Sequence, residues 1–168
     1  VSTDGDVITV LSSRMQFVFN KKSGLVTSYK VNGTEYFAEG FGIQPNFWRA
    51  PTDNDYGANL PVRLKAWKEA SYQEPKAESF QVTPGSNATT VKVIYRFPQT
   101  DARWDITYKI YASGVIKVDN RFVAEGDQAP MIPRVGLRMQ LPESFTDLTY
   151  YGRGPKENYR DRRTSQFI

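Results

Sequence analysis

VKVIYRFPQTDARWDITYKI, residues 91–110, contains two runs in which apolar side chains alternate with charged or polar ones. The apolar positions are every second residue: Val91, Val93, Tyr95 and Phe97 in the first run, and Trp104, Ile106, Tyr108 and Ile110 in the second. Because successive side chains of a strand point to opposite faces of a sheet, this period predicts strands with one buried face and one wet face.

The same two-residue alternation of apolar and polar side chains is found along most of the chain. Further strands are predicted over 15–19, 25–31, 34–37, 115–123 and 135–141. Asn32-Gly33 lies between two of them and is a strong hairpin signal, because a type I′ turn needs two residues that tolerate positive φ. Roughly eight to ten strands in total predict an all-β fold, an antiparallel β-sandwich.

One segment departs from this period. In residues 61–70, PVRLKAWKEA, the side chains of Leu64, Trp67 and Lys68 follow helical spacing. Proline is tolerated in the first turn of a helix, so we predict one short helix here. No repeat or linker divides the 168 residues, and we expect a single domain over 1–168.

The composition removes several classes of chemistry. The chain has no cysteine and no histidine. This excludes disulfides, thiolate and imidazole metal ligands, and the Ser-His-Asp triad. Any chemistry would have to come from carboxylates, lysine, arginine or tyrosine, and we expect no metal or other cofactor in this chain. The apolar runs are short, so no membrane-spanning helix and no membrane partner are expected.

The charge also argues against one class of partner. The net charge is +4, and residues 152–163 hold most of it. Five basic residues and two acidic ones leave +3 in that segment: Arg153, Lys156, Arg160, Arg162 and Arg163 against Glu157 and Asp161. Nucleic-acid binders usually interleave a longer basic stripe with stacking aromatics, and only Tyr159 does so here. We therefore predict no nucleic-acid partner.

The stretch FWRAPTDNDYG, residues 47–57, is dense in aromatic and polar groups. A sugar site needs an aromatic face for the C–H side of the ring, and planar donors and acceptors for the hydroxyls. The candidate substrate-site residues are Trp48, Arg49, Asp53, Asn54 and Asp55. The alternative is a turn in which Asp53 and Asn54 bond their own backbone while Trp48 fills the core.

Asp53 and Asp55 could be imagined as a glycosidase pair. In an extended stretch their side chains would lie on one face, about 6.6 Å apart, which is within the range that glycosidases use. Catalytic carboxylates must flank the bond from different directions, however, and neighbours on one loop seldom do. We therefore assign no catalytic residue to the chain.

A second stretch, YYGRGPKENYRDRR over residues 150–163, combines glycines and proline with charge. Gly152, Gly154 and Pro155 point to special backbone geometry. We interpret the stretch as a structural motif whose members are Gly152, Gly154, Pro155, Glu157, Asn158, Tyr159, Asp161 and Arg162. Ion pairs among the charged members would brace a surface loop and contribute little stability each.

The order and the spacing of these features resemble those of one protein family. The chain is similar to the C-terminal domain of the bacterial β-galactosidases of glycoside hydrolase family 2. The similarity rests on three features in this order: FWRAPTDNDYG, the Trp67-Lys68 helix, and YGRGPKENYRDR over 151–162. The resemblance runs over essentially all 168 residues. It implies a galactose mutarotase-like supersandwich, of which this chain would be the N-terminal part. Phe167-Ile168 reads as the start of a further strand, so we expect a truncated domain.

The resemblance also implies that catalysis belongs to another domain of the parent enzyme. The parent enzyme would hydrolyse terminal non-reducing β-D-galactosides of the lactose type, with retention, using two glutamates on a separate barrel domain. The loop matching Arg49 to Gly57 would border the active site, and this chain alone would be inactive. The expected partners are the other domains of the parent and a galactoside. The family's magnesium and sodium ions would be bound by other domains, and the parent would be oligomeric. A bacterial source leaves cytoplasm and periplasm both open.

Two other functions stay open at this point. The aromatic loop around Trp48 would suit a stand-alone carbohydrate-binding module. The basic segment 152–163 would suit a structural interaction domain that docks on a partner.

Overall fold

The computed structural model describes residues 1–126, 130–156 and 163–165. Its strands are β1 Ser2–Asp4, β2 Val7–Leu11, β3 Met15–Asn20, β4 Val26–Val31, β5 Thr34–Glu35, β6 Gln44–Asn46, β7 Ala77–Thr83, β8 Ala88–Phe97, β9 Ala102–Tyr111, β10 Ile116–Ala124 and β11 Gly136–Arg138. Its α-helices are α1 Asp53–Gly57, α2 Leu60–Arg63 and α3 Lys65–Tyr72. Short 3-10 turns cover Ala38–Gly40, Pro98–Thr100 and Arg163–Ser165.

The strands form antiparallel sheets, which confirms the predicted all-β sandwich. One sheet has the order β1-β2-β3-β4-β5, and a second has the order β10-β9-β8-β7. The two runs of the stretch 91–110 form β8 and β9 at the centre of the second sheet, where Tyr95 pairs with Trp104. A third sheet contains only β6 and β11.

Aromatic side chains join the two larger sheets. Phe17 and Phe19 on β3 are buried, and the ring of Phe19 lies 5.2 Å from that of Tyr108 on β9 and 5.6 Å from that of Phe80 on β7. Edge-on aromatic pairs of this kind contribute about 0.5–1.5 kcal/mol each beyond the area they bury. The alternation in the sequence therefore becomes a shared core between two sheets.

A second aromatic cluster anchors the helical segment to the sandwich. Phe47, directly after β6, is fully buried, and its ring lies 5.2 Å from Trp67 on α3 and 5.0 Å from Trp104 on β9. The Oγ of Ser71 accepts a hydrogen bond from the Phe47 backbone N–H and donates one to the Trp67 carbonyl. This cluster fixes the start of the loop that begins at Trp48.

The predicted turns are present. Asn32 and Gly33 both have positive φ, 50° and 84°, and connect β4 to β5 as the hairpin signal required. Gly114, with φ of 95°, lies in the turn between β9 and β10.

The structure differs from the sequence prediction in its number of elements. The described residues contain eleven strands rather than eight to ten, and β1, β2, β6 and β7 are not among the strands that the alternation identifies by residue range. The expectation of one short helix was too low. Residues 61–70 fall on α2 and α3, and α1 is an additional helix. The strand predicted over 135–141 is limited to β11. Among the described residues, no helix combines the length and the apolar character needed to cross a membrane.

Candidate functional site

The centre of the candidate site is a two-point ion pair between Arg49 and Asp55. Nη1 of Arg49 lies 2.5 Å from Oδ2 of Asp55, and Nη2 lies 2.9 Å from Oδ1. The guanidinium thus meets both carboxylate oxygens, which is the geometry of the stronger arginine–carboxylate pairs. The pair closes the loop between Trp48 and the start of α1.

Thr52 continues the same network as the N-cap of α1. Its Oγ1 accepts a hydrogen bond from the backbone N–H of Asp55, and its own backbone N–H donates to Oδ2 of Asp55 at 2.8 Å. This reciprocal arrangement is a capping box, which satisfies donors that a helix start otherwise leaves unpaired. The sequence favours it because threonine is followed three residues later by an acidic side chain.

These contacts determine the ionisation of Asp55. The hydrogen bonds from the Arg49 guanidinium, and then from the Thr52 backbone, lower the pKa of the Asp55 carboxyl from its usual 3.8 to about 2. Asp55 is therefore a carboxylate at neutral pH, with both oxygens engaged by its own loop. A group held in this way does not serve as a general acid, since that role needs a raised pKa.

A cleft of about 290 Å³ opens beside this loop; we call it the Trp48 cleft. Trp48, which is 9% exposed, together with Arg49 and Asp55 forms its polar and aromatic part. Its apolar wall comes from α2 and from the segment after β10: Leu60, Pro61, Leu64, Met131, Ile132 and Pro133. One charged pair beside an apolar, partly aromatic wall suits a ligand with a C–H face and hydroxyl groups.

The structure brings together three of the five predicted site residues. Trp48, Arg49 and Asp55 line the Trp48 cleft, whereas Asp53 and Asn54 are exposed in the first turn of α1 and do not line it. The alternative interpretation also holds in part, because Asp55 braces the loop and Trp48 belongs to the hydrophobic core. The substrate role of these residues stays a prediction.

Sequence reasoning missed the wall formed by residues 131–133. This segment is PMIP when Pro130 is included, a short apolar run between prolines with no strand or helix period. Such a run is a signal for an irregular apolar segment, but nothing local indicates that it lies against a loop some eighty residues earlier in the chain.

The second predicted motif is described only in its first half. The Gly154–Pro155 peptide bond is cis, and a Cβ on Gly154 would lie 2.8 Å from the Oη of Tyr150. Gly152 and Gly154 are not among the glycines with positive φ, and the atom closest to a Cβ at 154 belongs to the end of the exposed Tyr150 side chain. The other members lie outside the described residues: Glu157, Asn158, Tyr159, Asp161 and Arg162.

Within 1–126, 130–156 and 163–165, no three or more histidine, cysteine, aspartate or glutamate side chains are grouped so that they could hold a metal ion.

Comparison with known proteins agrees with the features of the loop and the fold. A family model described as Beta galactosidase small chain matches residues 12–168. A beta-galactosidase from Priestia megaterium is 35% identical over 164 residues, which cover 98% of this chain and 16% of that protein. One from Lactobacillus delbrueckii subsp. bulgaricus is 34% identical over 158 residues, covering 93% and 15%.

A eukaryotic relative gives the same result. The beta-galactosidase of Kluyveromyces lactis is 30% identical over 172 residues, which cover 95% of this chain and 16% of that protein. The chain thus spans only 15–16% of the length of these three curated relatives.

Proposed function

Because the chain belongs to the β-galactosidase small chain family, we propose that it is one part of a polypeptide that hydrolyses terminal non-reducing β-D-galactosides of the lactose type. The observation that carries this proposal is the family match over residues 12–168, together with relatives named beta-galactosidase at 30–35% identity. Lactose-type specificity and retention of configuration are part of the proposal.

We propose further that the catalytic carboxylates lie outside this chain. The state of Asp55 supports this, because Arg49 and Thr52 hold it as a carboxylate whose oxygens already accept hydrogen bonds. Asp53 is exposed in the first turn of α1 and does not share the Trp48 cleft with Asp55. Two carboxylates that flank a glycosidic bond would have to come from elsewhere in the parent.

The proposed role of this chain is to form one border of the galactoside site. Arg49 has its guanidinium fixed by a two-point contact with Asp55, so its position costs little conformational entropy when a ligand arrives. Trp48 lines the same cleft beside it and presents a small part of its side chain there, because the residue is 9% exposed. The galactose mutarotase-like supersandwich belongs to this proposal as its scaffold.

The apolar surface of residues 131–151 supports docking to the rest of the parent. We call these residues the apolar segment. Its exposed large side chains are Met131, Val135, Met139, Leu141, Phe145, Leu148, Tyr150 and Tyr151. Leu148 is 82% exposed and Tyr151 is 91% exposed, which is unusual for a surface that faces only water. We propose that other parts of the parent polypeptide cover these exposed side chains.

This docking surface is the observation that favours a structural role beside the site-framing one. Two further family features are part of the proposal. They are the binding of magnesium and sodium ions by other domains of the parent, and the assembly of the parent into an oligomer.

The test uses the full-length protein that carries this chain. Arg49→Ala is expected to lower kcat/KM for a chromogenic β-galactoside about tenfold or more, which is ~1.4 kcal/mol of transition-state stabilisation. Arg63→Ala is the matched control, because Arg63 is an exposed arginine on α2 whose guanidinium, among the residues that the structure describes, bonds only the nearby Ala58 carbonyl at 3.4 Å. Equal kcat/KM values for the two variants would contradict a role of Arg49 at the site.

A further inference from the structure

A second cleft lies away from the proposed galactoside border. It has a volume of about 350 Å³ and lies between the turn after β3, the 3-10 turn at Ala38–Gly40, the end of α3 and β11. We call it the Arg138 cleft. None of its lining residues lines the Trp48 cleft.

Arg138 is held in this cleft by two aromatic rings and a helix end. The centre of its guanidinium lies 5.1 Å from the ring centroid of Phe41 and 4.6 Å from that of Tyr72. Its Nη2 donates to the carbonyl of Ser71 at 2.6 Å and to Oε1 of Gln44 at 3.4 Å. These contacts hold the guanidinium in the ligand-free chain.

One donor of this fixed group lacks a partner. Among the described residues, the Nε–H of Arg138 is buried and makes no hydrogen bond. A buried donor without an acceptor costs about 1–3 kcal/mol, more for a charged group, so such donors normally meet a water molecule or a ligand. Nη2 already makes two hydrogen bonds, and the buried donor of this group without an acceptor is Nε–H.

The rest of the lining has the composition of a sugar site. The ring of Tyr72 is 59% exposed and offers a C–H-binding surface at the edge of the cleft. Planar amide and carboxylate groups surround it: Asn20, Gln44, Gln73 and Glu74. The negative charge of Glu74 opposes the positive charge of Arg138. This balance of charge favours a neutral ligand over an anion.

We propose that the Arg138 cleft binds a neutral pyranoside. The C–H face of the ring would pack on Tyr72, and a rotation of the Arg138 side chain that exposes its buried Nε–H would let this group donate to one hydroxyl oxygen. This site goes beyond the proposed function, because it involves neither the Trp48 cleft nor hydrolysis. A galactoside chain that extends past the parent's active site, or a separate saccharide, would supply such a ring.

The test is a titration of the 168-residue chain, ¹⁵N-labelled at arginine, with lactose. The Nε–H signal of Arg138, assigned through its bonds to the backbone, is followed by NMR, and the backbone spectrum reports that the chain is folded. We expect a saturable shift of that signal with a dissociation constant of about 1–30 mM. Sodium chloride at equal osmolarity is the control for anion binding.

Variants separate the two clefts. Tyr72→Ala is expected to weaken lactose binding at the Arg138 signal about tenfold. Tyr56→Ala is its control, because Tyr56 is equally exposed, at 64%, but lies on α1 outside the Arg138 cleft. It should leave the affinity unchanged.

Three results would overturn the proposal. The first is an Arg138 signal that does not move up to about 100 mM lactose, which would mean that water alone satisfies Nε. The second is a shift that sodium chloride reproduces. The third is equal weakening by the two tyrosine variants. None of these results bears on hydrolysis by the full-length protein. The proposed function is therefore tested by a different measurement from the one that tests the Arg138 cleft.

Discussion

The guanidinium of Arg49 donates hydrogen bonds to both carboxylate oxygens of Asp55, six residues later in the chain. The Nη1–Oδ2 and Nη2–Oδ1 distances are 2.5 and 2.9 Å. The side chain of Asp55 is only 11% exposed, so the pair is better protected from solvent than an ordinary surface ion pair. The contact makes the loop from Trp48 to α1 a closed unit with a fixed arginine at the edge of a cleft.

The first prediction concerns the pH dependence of this unit. The pKa of Asp55 is lowered from 3.8 to about 2, so the folded state favours the carboxylate. Its contribution to stability is complete above the usual pKa and is lost as the pH falls toward about 2. We expect the Tm difference between the wild type and Asp55→Asn to be constant near neutral pH and to shrink between about pH 4 and pH 2. A difference that grows in that window would contradict the assignment.

The second prediction concerns the cap of α1. Thr52→Ala removes the side-chain acceptor for the Asp55 backbone N–H and is expected to lower the free energy of unfolding by about 1 kcal/mol. Thr52→Ser keeps the hydroxyl and serves as the control, with a loss of a few tenths of a kcal/mol at most. Urea denaturation measures both variants. An alanine variant as stable as the serine variant would mean that the cap contributes nothing.

The third prediction concerns backbone packing beside the two-stranded sheet. A Cβ on Gly42 would lie 2.1 Å from the carbonyl oxygen of Val26, which is backbone and cannot swing away. Gly42→Ala is therefore expected to destabilise the chain by about 3 kcal/mol. Gly57→Ala is the control, because nothing lies within 4 Å of its added Cβ. Similar denaturation midpoints for the two variants would show that the strands around Gly42 are packed differently.

The fourth prediction compares the hydroxyl of Tyr108, which is buried, with that of Tyr29, which is partly buried. The Oη of Tyr108 is buried in the sandwich without a hydrogen-bond partner among the described residues, and burial raises the pKa of this phenol. Tyr108→Phe removes the unsatisfied group, so we expect unchanged stability or a gain of up to about 1 kcal/mol. Tyr29→Phe should instead lose about 1 kcal/mol, because Tyr29 donates to the Gly114 carbonyl of the opposite sheet.

Thermal unfolding of the two phenylalanine variants decides this comparison. A clear loss of stability in Tyr108→Phe would mean that its hydroxyl has a partner, such as a buried water molecule.

Sequence reasoning reached the sandwich because its signals are local. The alternation in β8 and β9 and the positive-φ pair Asn32-Gly33 each act within a few residues. It missed β1 and β6, which have three residues each and are too short to show a period. It also missed α1, because aspartate and asparagine together favour turns, although Thr52 and Asp55 have the spacing of a capping box.

The candidate site was predictable as a set of residue types and not as a geometry. Trp48, Arg49 and Asp55 could be named from the loop, but their separation from Asp53 and Asn54 follows from the turn of α1. The Arg138 cleft was out of reach, since Gln44 and Arg138 meet across 94 positions of sequence. Contacts of that range depend on how the sheets pack, which no local pattern encodes.

We propose that this chain frames the galactoside site of a β-galactosidase whose catalytic groups lie elsewhere in the parent. Hydrolysis of a chromogenic β-galactoside, measured for the full-length protein and, in parallel, for residues 1–168 alone, tests this division directly. We expect turnover by the full-length protein and, for residues 1–168, a rate equal to that of buffer. Enzyme-like turnover by residues 1–168, or an intact galactoside after incubation with the full-length protein, would contradict it.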